Sequence, residues 1–130
     1  MMDTPVKSFR LGQIIAEASP LPDGGFAGEI INLRGDVVYL QSKTEQEFTE
    51  VFAGAVRSLR RYHREQGDDF NTKILSEDDA RRYRMEAAEN MLAAAPEAGI
   101  DALESLTRSP DEELAAWAAG RLQEILSQKV

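Results

Sequence analysis

Residues 44–67, TEQEFTEVFAGAVRSLRRYHREQG, read as one long helix whose start, stop and buried side are all written in its letters. Thr44 followed three positions later by Glu47 predicts a capping box, in which each side chain bonds an orphan N–H of the first turn. Gly67 predicts the end, because a residue without Cβ readily takes the left-handed conformation that closes a helix. At about 100° per residue, Phe48, Val51, Phe52, Ala55, Leu59 and Tyr62 fall on one side, with Arg57, Arg61 and Arg64 opposite. A helix with that stripe has to lie on a flat apolar surface.

The residues before it supply one. Residues 1–5 read as a loose end. Residues 9–18, FRLGQIIAEA, read as a strand rich in apolar and β-branched side chains. Residues 19–25, SPLPDGG, are turn chemistry throughout: Pro fixes φ, Asp bonds its own backbone and Gly accepts positive φ. Two more strands follow, FAGEIINL at 26–33 and VVYLQ at 37–41, with a turn at Arg34-Gly35-Asp36 between them. Strands joined by short turns predict an antiparallel meander, with the long helix across one face. Beyond Gly67, FNTKIL at 70–75 is read either as a fourth, edge strand or as a linker.

From Ser76 onward the chain changes character. Ser76 opens a helix whose first turn carries Glu77, Asp78 and Asp79, where the helix dipole favours acids. Its expected apolar side is Ala80, Tyr83, Ala87, Met91 and Ala94. Pro96 ends or restarts that helix because its ring cannot continue the ladder. Residues 97–107 predict a third helix presenting Ile100, Leu103 and Leu106. Ser109-Pro110-Asp111-Glu112 predicts a second capping box and a last helix with Leu114, Trp117, Ala118, Leu122 and Ile125 on one face.

Composition narrows the function classes. A chain of 130 residues holds one ordinary core or two very small ones. Zero cysteines exclude disulfides, thiolate chemistry and Cys-type zinc sites. No apolar run approaches the length of a bilayer span, and the first ten residues lack the apolar core of a signal peptide, so the expectation is a cytoplasmic protein without a membrane partner. A net charge of −8 argues against affinity for nucleic acid, which needs clustered Lys and Arg. Residues 1–75 hold nine basic and eleven acidic side chains and residues 76–130 hold six and twelve, so the C-terminal part is the acidic one.

The order of strands, turns and cap resembles the HicB family of bacterial antitoxins. The residues that carry the resemblance are Asp23, Gly24, Gly25 and Phe26 at the first turn, Leu33 and Gly35 at the second, and Thr44, Glu45 and Glu47 at the helix start. Ser42-Lys43 stands where that family has Gly-Asp, and Phe48 where it has a small residue. The match covers about half the chain. The resemblance implies a partial ribonuclease-H-like sheet without catalytic carboxylates, which binds and blocks a small toxic ribonuclease. The family's usual DNA-binding tail has no counterpart, because this tail is acidic and lacks a basic recognition face. The tail instead looks like short HEAT-type repeats, with Tyr83, Ala87, Ala88 and Met91 aligned on Leu114, Ala118, Ala119 and Leu122.

The candidate sites each have a structural explanation beside the functional one. Arg57, Arg60, Arg61 and Arg64 offset the negative end of the helix dipole, or form a basic strip for an acidic partner or phosphates. Glu77, Asp78 and Asp79, with Asp111, Glu112 and Glu113, satisfy helix starts or present an acidic surface. His63, the only histidine, reads as a partly exposed helix residue with no second His or Cys to share a metal. Arg84 and Arg121 fall beside apolar faces, where an unpaired charge is costly; Arg121 is expected to pair with an acid such as Asp101 or Glu104, or to lay its stem on Trp117. No phosphate-loop pattern surrounds Gly24-Gly25.

The expectation is therefore an α+β protein. Residues 1–75 form a three- to four-stranded antiparallel sheet with one long packed helix, and residues 76–130 form an acidic HEAT-like bundle of three helices. The expected function is non-catalytic protein binding of antitoxin or immunity type, with no metal or cofactor and with a small basic toxin as partner. The residues expected to carry it are Glu77, Asp78, Asp79, Asp111, Glu112 and Glu113, with Arg57, Arg61 and Arg64. An adaptor subunit whose helical repeats grip another protein, and a transcriptional regulator, are the alternatives; a homodimer through the sheet edge fits the adaptor reading.

Overall fold

The computed structural model describes residues 6–35 and 37–128; the loose end expected at 1–5 and Asp36 of the second turn lie outside them. Four strands, β1 (Lys7–Leu11), β2 (Ile14–Pro20), β3 (Phe26–Ile30) and β4 (Val38–Ser42), precede helix α1 (Glu45–Glu65). A 3-10 turn at Phe70–Lys73 follows, then α2 (Glu77–Ala94), α3 (Pro96–Leu106) and α4 (Glu112–Gln128). The fold is α+β, a four-stranded antiparallel sheet followed by helices. The chain divides into two compact units, Met1–Ala80 and Arg81–Val130.

In the first unit the sheet is a simple meander in the order β1-β2-β3-β4, every neighbour antiparallel. The stretch expected as a single first strand is two. Gly12 at φ +63 and Gln13 form a two-residue turn that places Leu11 opposite Ile14. Glycine at the first turn position supplies the backbone twist that suits a tight hairpin. The fourth strand is thus gained at the N-terminal side, and FNTKIL is not a strand. It forms the 3-10 turn, and Ile74 makes one isolated bridge to Leu33.

Side chains alternate across the sheet, so Phe9, Ile14, Ala16, Ala18, Phe26, Ile30, Val38 and Leu40 share one face. Phe48, Phe52 and Val56 of α1 are buried with them in one core. Phe9, Phe26 and Phe48 meet as a trio with ring centroids 4.8–5.9 Å apart, tying β1, β3 and α1 together. Gly28 lies where β3 passes closest to β2: a Cβ there would stand 2.5 Å from that of Ala18 and collide with the Glu17 carbonyl.

Both ends of α1 follow from local chemistry. Thr44 Oγ1 accepts from Glu47 N at 3.1 Å, whereas the Glu47 carboxylate reaches Lys43 N at 3.4 Å, so the return bond of the expected capping box goes to the residue before the cap. At the other end Gly67 has φ +81, Gly67 N donates to Arg64 O and Asp68 N to His63 O, a Schellman closure.

A buried amide clasps the unit together. Asn32, 0% exposed, accepts from Ile15 N at 2.9 Å and donates to the carbonyls of Gln13 at 2.8 Å and Leu75 at 3.1 Å. Leu75 N donates back to Asn32 O. One side chain therefore joins the first hairpin, the end of β3 and the segment after the 3-10 turn.

In the second unit Ala88, Leu103 and Ala118 form the core, with Leu92, Leu106, Trp117, Leu122 and Ile125 packed on it. Gly99 lets α3 approach α2, since a Cβ would stand 2.6 Å from the backbone of Leu92. Of the expected apolar side of α2, Ala80 is buried, at the end of the first unit, whereas Tyr83, Ala87, Met91 and Ala94 face solvent and Ala88 and Leu92 pack inward instead. The HEAT-type alignment is one residue out of register, since it pairs exposed Ala87 with buried Ala118 and buried Ala88 with exposed Ala119. Alanine lines both faces of this helix, which is why periodicity misplaced its inner side.

Candidate protein-binding surface

The acidic candidates separate into two groups at two helix starts. In the first unit, Ser76 Oγ accepts from Asp79 N at 3.2 Å and caps α2. Glu77, Asp78 and Asp79 are exposed in that first turn, and the Glu77 carboxylate pairs with the Arg10 guanidinium of β1. In the second unit, Asp111 rather than Ser109 caps α4. Its Oδ1 accepts from Glu113 N at 3.1 Å and Leu114 N at 3.3 Å, and its Oδ2 receives Arg81 Nε at 2.8 Å. Arg81 also reaches Glu113 at 2.9 Å. Glu112 and Glu113 are exposed, and Asp111 is half-buried.

Glu77 and Glu113 sit in exposed ion pairs, which are weak and exchangeable in water. Asp111 is committed to its helix end, because releasing it strands two backbone donors and breaks one of the contacts of Arg81. Among the described residues no three His, Asp or Glu side chains come close enough together to hold a metal ion.

The basic candidates lie along the solvent side of α1. Arg57, Arg61 and Arg64 are all exposed and on one stripe opposite Phe48, Phe52 and Val56. Arg60 is held apart from them: its guanidinium lies 5.0 Å from the Phe70 ring centroid and donates to Asn71 Oδ1 at 3.1 Å. An open depression of about 430 Å³ lies between Arg60 and Arg64 on one side and Asp68, Asp69 and Asn71 on the other. Its lining carries both signs of charge.

His63 is not partly exposed as expected but 4% accessible, packed against the rings of Tyr62 and Phe70, with Nδ1 3.4 Å from Asp68 Oδ2. The 3-10 turn folds back over it, which helical periodicity alone does not reveal. Tyr62, placed on the apolar stripe by its angle, is exposed instead. Arg121 finds its carboxylate on Glu89, with Nε 2.8 and 2.9 Å from the two oxygens, rather than on Asp101 or Glu104, and adds Glu124 at 3.3 Å. The Glu89 hydrogen bond holds the Arg121 guanidinium above its ordinary pKa.

Two surface features escaped the reading of the sequence. One is which sheet edge lies open, since the expected sheet-edge contact named no strand: at β4, Val37 and Tyr39 are 71% and 78% exposed. The other is the exposed stripe of Tyr83, Ala87 and Met91 on α2. The signal for the first was available, since residues 37–42 are an uncharged run ending a meander.

No family model, curated protein or solved structure matches this chain. Among the described residues no helix is long and apolar enough to cross a membrane.

Proposed function

We propose that this chain is a non-catalytic protein-binding protein of antitoxin or immunity type, which neutralises a small toxic partner by covering its basic surface. The observation that carries this reading is the construction of the first unit. The residues that suggested a HicB-like chain, Asp23-Gly24-Gly25 between β2 and β3, Leu33 and Gly35 between β3 and β4, and Thr44 at the start of α1, occupy the turns and the cap of a sheet roofed by one helix. That arrangement offers edges and faces for gripping. Glu77, Asp78, Asp79, Glu112 and Glu113 are exposed, so a cationic partner can meet them and exchange into the ion pairs of Glu77 and Glu113, with steered association that weakens as salt rises. Arg57, Arg61 and Arg64 offer the opposite charge to an acidic rim on the same partner.

The test is co-expression with the product of the neighbouring reading frame. Relief of growth arrest caused by that product supports the proposal; a harmless neighbour, or arrest left unrelieved by a chain that does not bind it, rejects it. The exposed stripe of Tyr83, Ala87 and Met91 favours a second reading, an adaptor whose helices bind another protein. Co-purification with a large assembly that is lost in Met91→Lys distinguishes it.

A further inference from the structure

The two edges of the sheet are not alike. On β1, Lys7 pairs with Glu45 at 2.6 Å and Arg10 with Glu77, and charged side chains of this kind are the usual guard against edge-to-edge pairing. On β4, residues 37–42 are Val, Val, Tyr, Leu, Gln and Ser, with no charge, proline or glycine. Val37 and Tyr39 are the most exposed of the large hydrophobic side chains among the described residues.

The ladder shows which backbone groups that edge offers. Ile31 N donates to Ile15 O across β2 and β3, so the odd-numbered residues of β3 bond β2 and Phe26, Gly28 and Ile30 bond β4. Their partners on β4 are Ser42, Leu40 and Val38. Tyr39 and Gln41 consequently turn N–H and C=O away from the sheet, as does Val37 if the strand is prolonged by one residue. The same three residues share the face opposite α1.

We infer that β4 is a self-association edge, pairing antiparallel with β4 of a second copy about a twofold axis at Tyr39. That register sets Tyr39 opposite the partner's Tyr39, exchanging two hydrogen bonds, and Val37 opposite the partner's Gln41 on each side. It gives each of the two most exposed hydrophobic side chains a cross-strand neighbour, Tyr39 beside Tyr39 and Val37 beside Gln41. A second copy fits because the strip is uncharged: each chain carries −8 overall, and only an uncharged strip lets two such chains meet without opposing charges. The result is an eight-stranded sheet continuous across the dimer, and it does not depend on the antitoxin reading.

The test uses the full chain at protein concentrations spanning roughly a thousandfold range. Sedimentation is expected to show a species of twice 14.4 kDa at the upper end. Added salt is expected to raise the dimer fraction by screening the like charges. Amide exchange read residue by residue is expected to slow roughly tenfold or more at Tyr39 and Gln41 as dimer forms, while Val38 and Leu40 stay protected at every concentration. Gln41→Pro removes only an outward donor and is expected to give a folded monomer, as is Tyr39→Lys. A monomer throughout, a dimer that salt dissociates, a dimer that survives both substitutions, or amides at Tyr39 and Gln41 that do not respond to concentration would each overturn the inference. Protection of those two amides in a monomer only on adding another protein would assign the edge to a foreign strand, and would overturn it equally.

Discussion

Asn32 shows how much one side chain settles. Its amide answers three backbone groups that burial has cut off from water, so Asn32→Ala is expected to cost about 3 kcal/mol, chiefly through the donor and acceptors left unmade. Asn32→Asp should do no better, because it sets carboxylate oxygens against the Gln13 and Leu75 carbonyls. Urea denaturation of both variants checks this. The role was not legible beforehand: FAGEIINL reads as one strand with Asn32 a polar letter near its end, and the partners of that side chain lie 17 to 43 residues away. Gly28 was equally silent as a letter within a strand. Gly28→Val is expected to lose about 1–3 kcal/mol by forcing β2 and β3 apart, measured in the same way. Asp111 and Glu112 make the contrast sharper. Asp111→Ala removes the α4 cap and the Arg81 contact and should destabilise by about 1–2 kcal/mol, while Glu112→Ala should lie within about 0.5 kcal/mol of the parent. Thermal unfolding of the pair separates a carboxylate that builds the helix from one that remains available to a partner.

Among the elements, α1 was the most legible because its signals are local. Thr44 and Gly67 act within one turn of where they stand, and Phe48 and Phe52 of the expected stripe are buried, joined by Val56, which the expected stripe left out. Thr44→Ala is expected to lower stability by about 1 kcal/mol, while Glu47→Ala, whose carboxylate makes only a long bond to Lys43, should cost less; circular dichroism melts distinguish them. The first hairpin was illegible for the opposite reason. A two-residue Gly12-Gln13 turn interrupts a run of strand-forming residues too briefly to break their pattern. The inner side of α2 was misread because alanines face both ways along it, and what chooses Ala88 over Ala87 is the close approach of Gly99 from another helix. Gly99→Ala is therefore expected to cost about 1–3 kcal/mol, more than helix propensity alone would return, with loss of the cooperative melt of the helical unit as the readout.

At the scale of the molecule, the composition changes near Ser76, while the two compact units divide after Ala80, within α2. The candidate surface was legible only in part. Net charge located the acidic half, but which carboxylates are held by Arg10 and Arg81 follows from tertiary pairing that no spacing encodes. Association with a cationic partner should accordingly be slowed by added salt, and Glu112→Lys with Glu113→Lys should weaken it more than Asp111→Asn, as read by surface-immobilised binding kinetics. The meander carries a further consequence, for how the protein is made. Each strand leans on the one that leaves the ribosome just before it, and α1 roofs the sheet directly after β4, so the scaffold can be laid down in the order of synthesis without waiting for distant chain. Residues 73–75 return across a long loop, to Asn32, Leu33 and Arg34, and that late closure locks a sheet already complete.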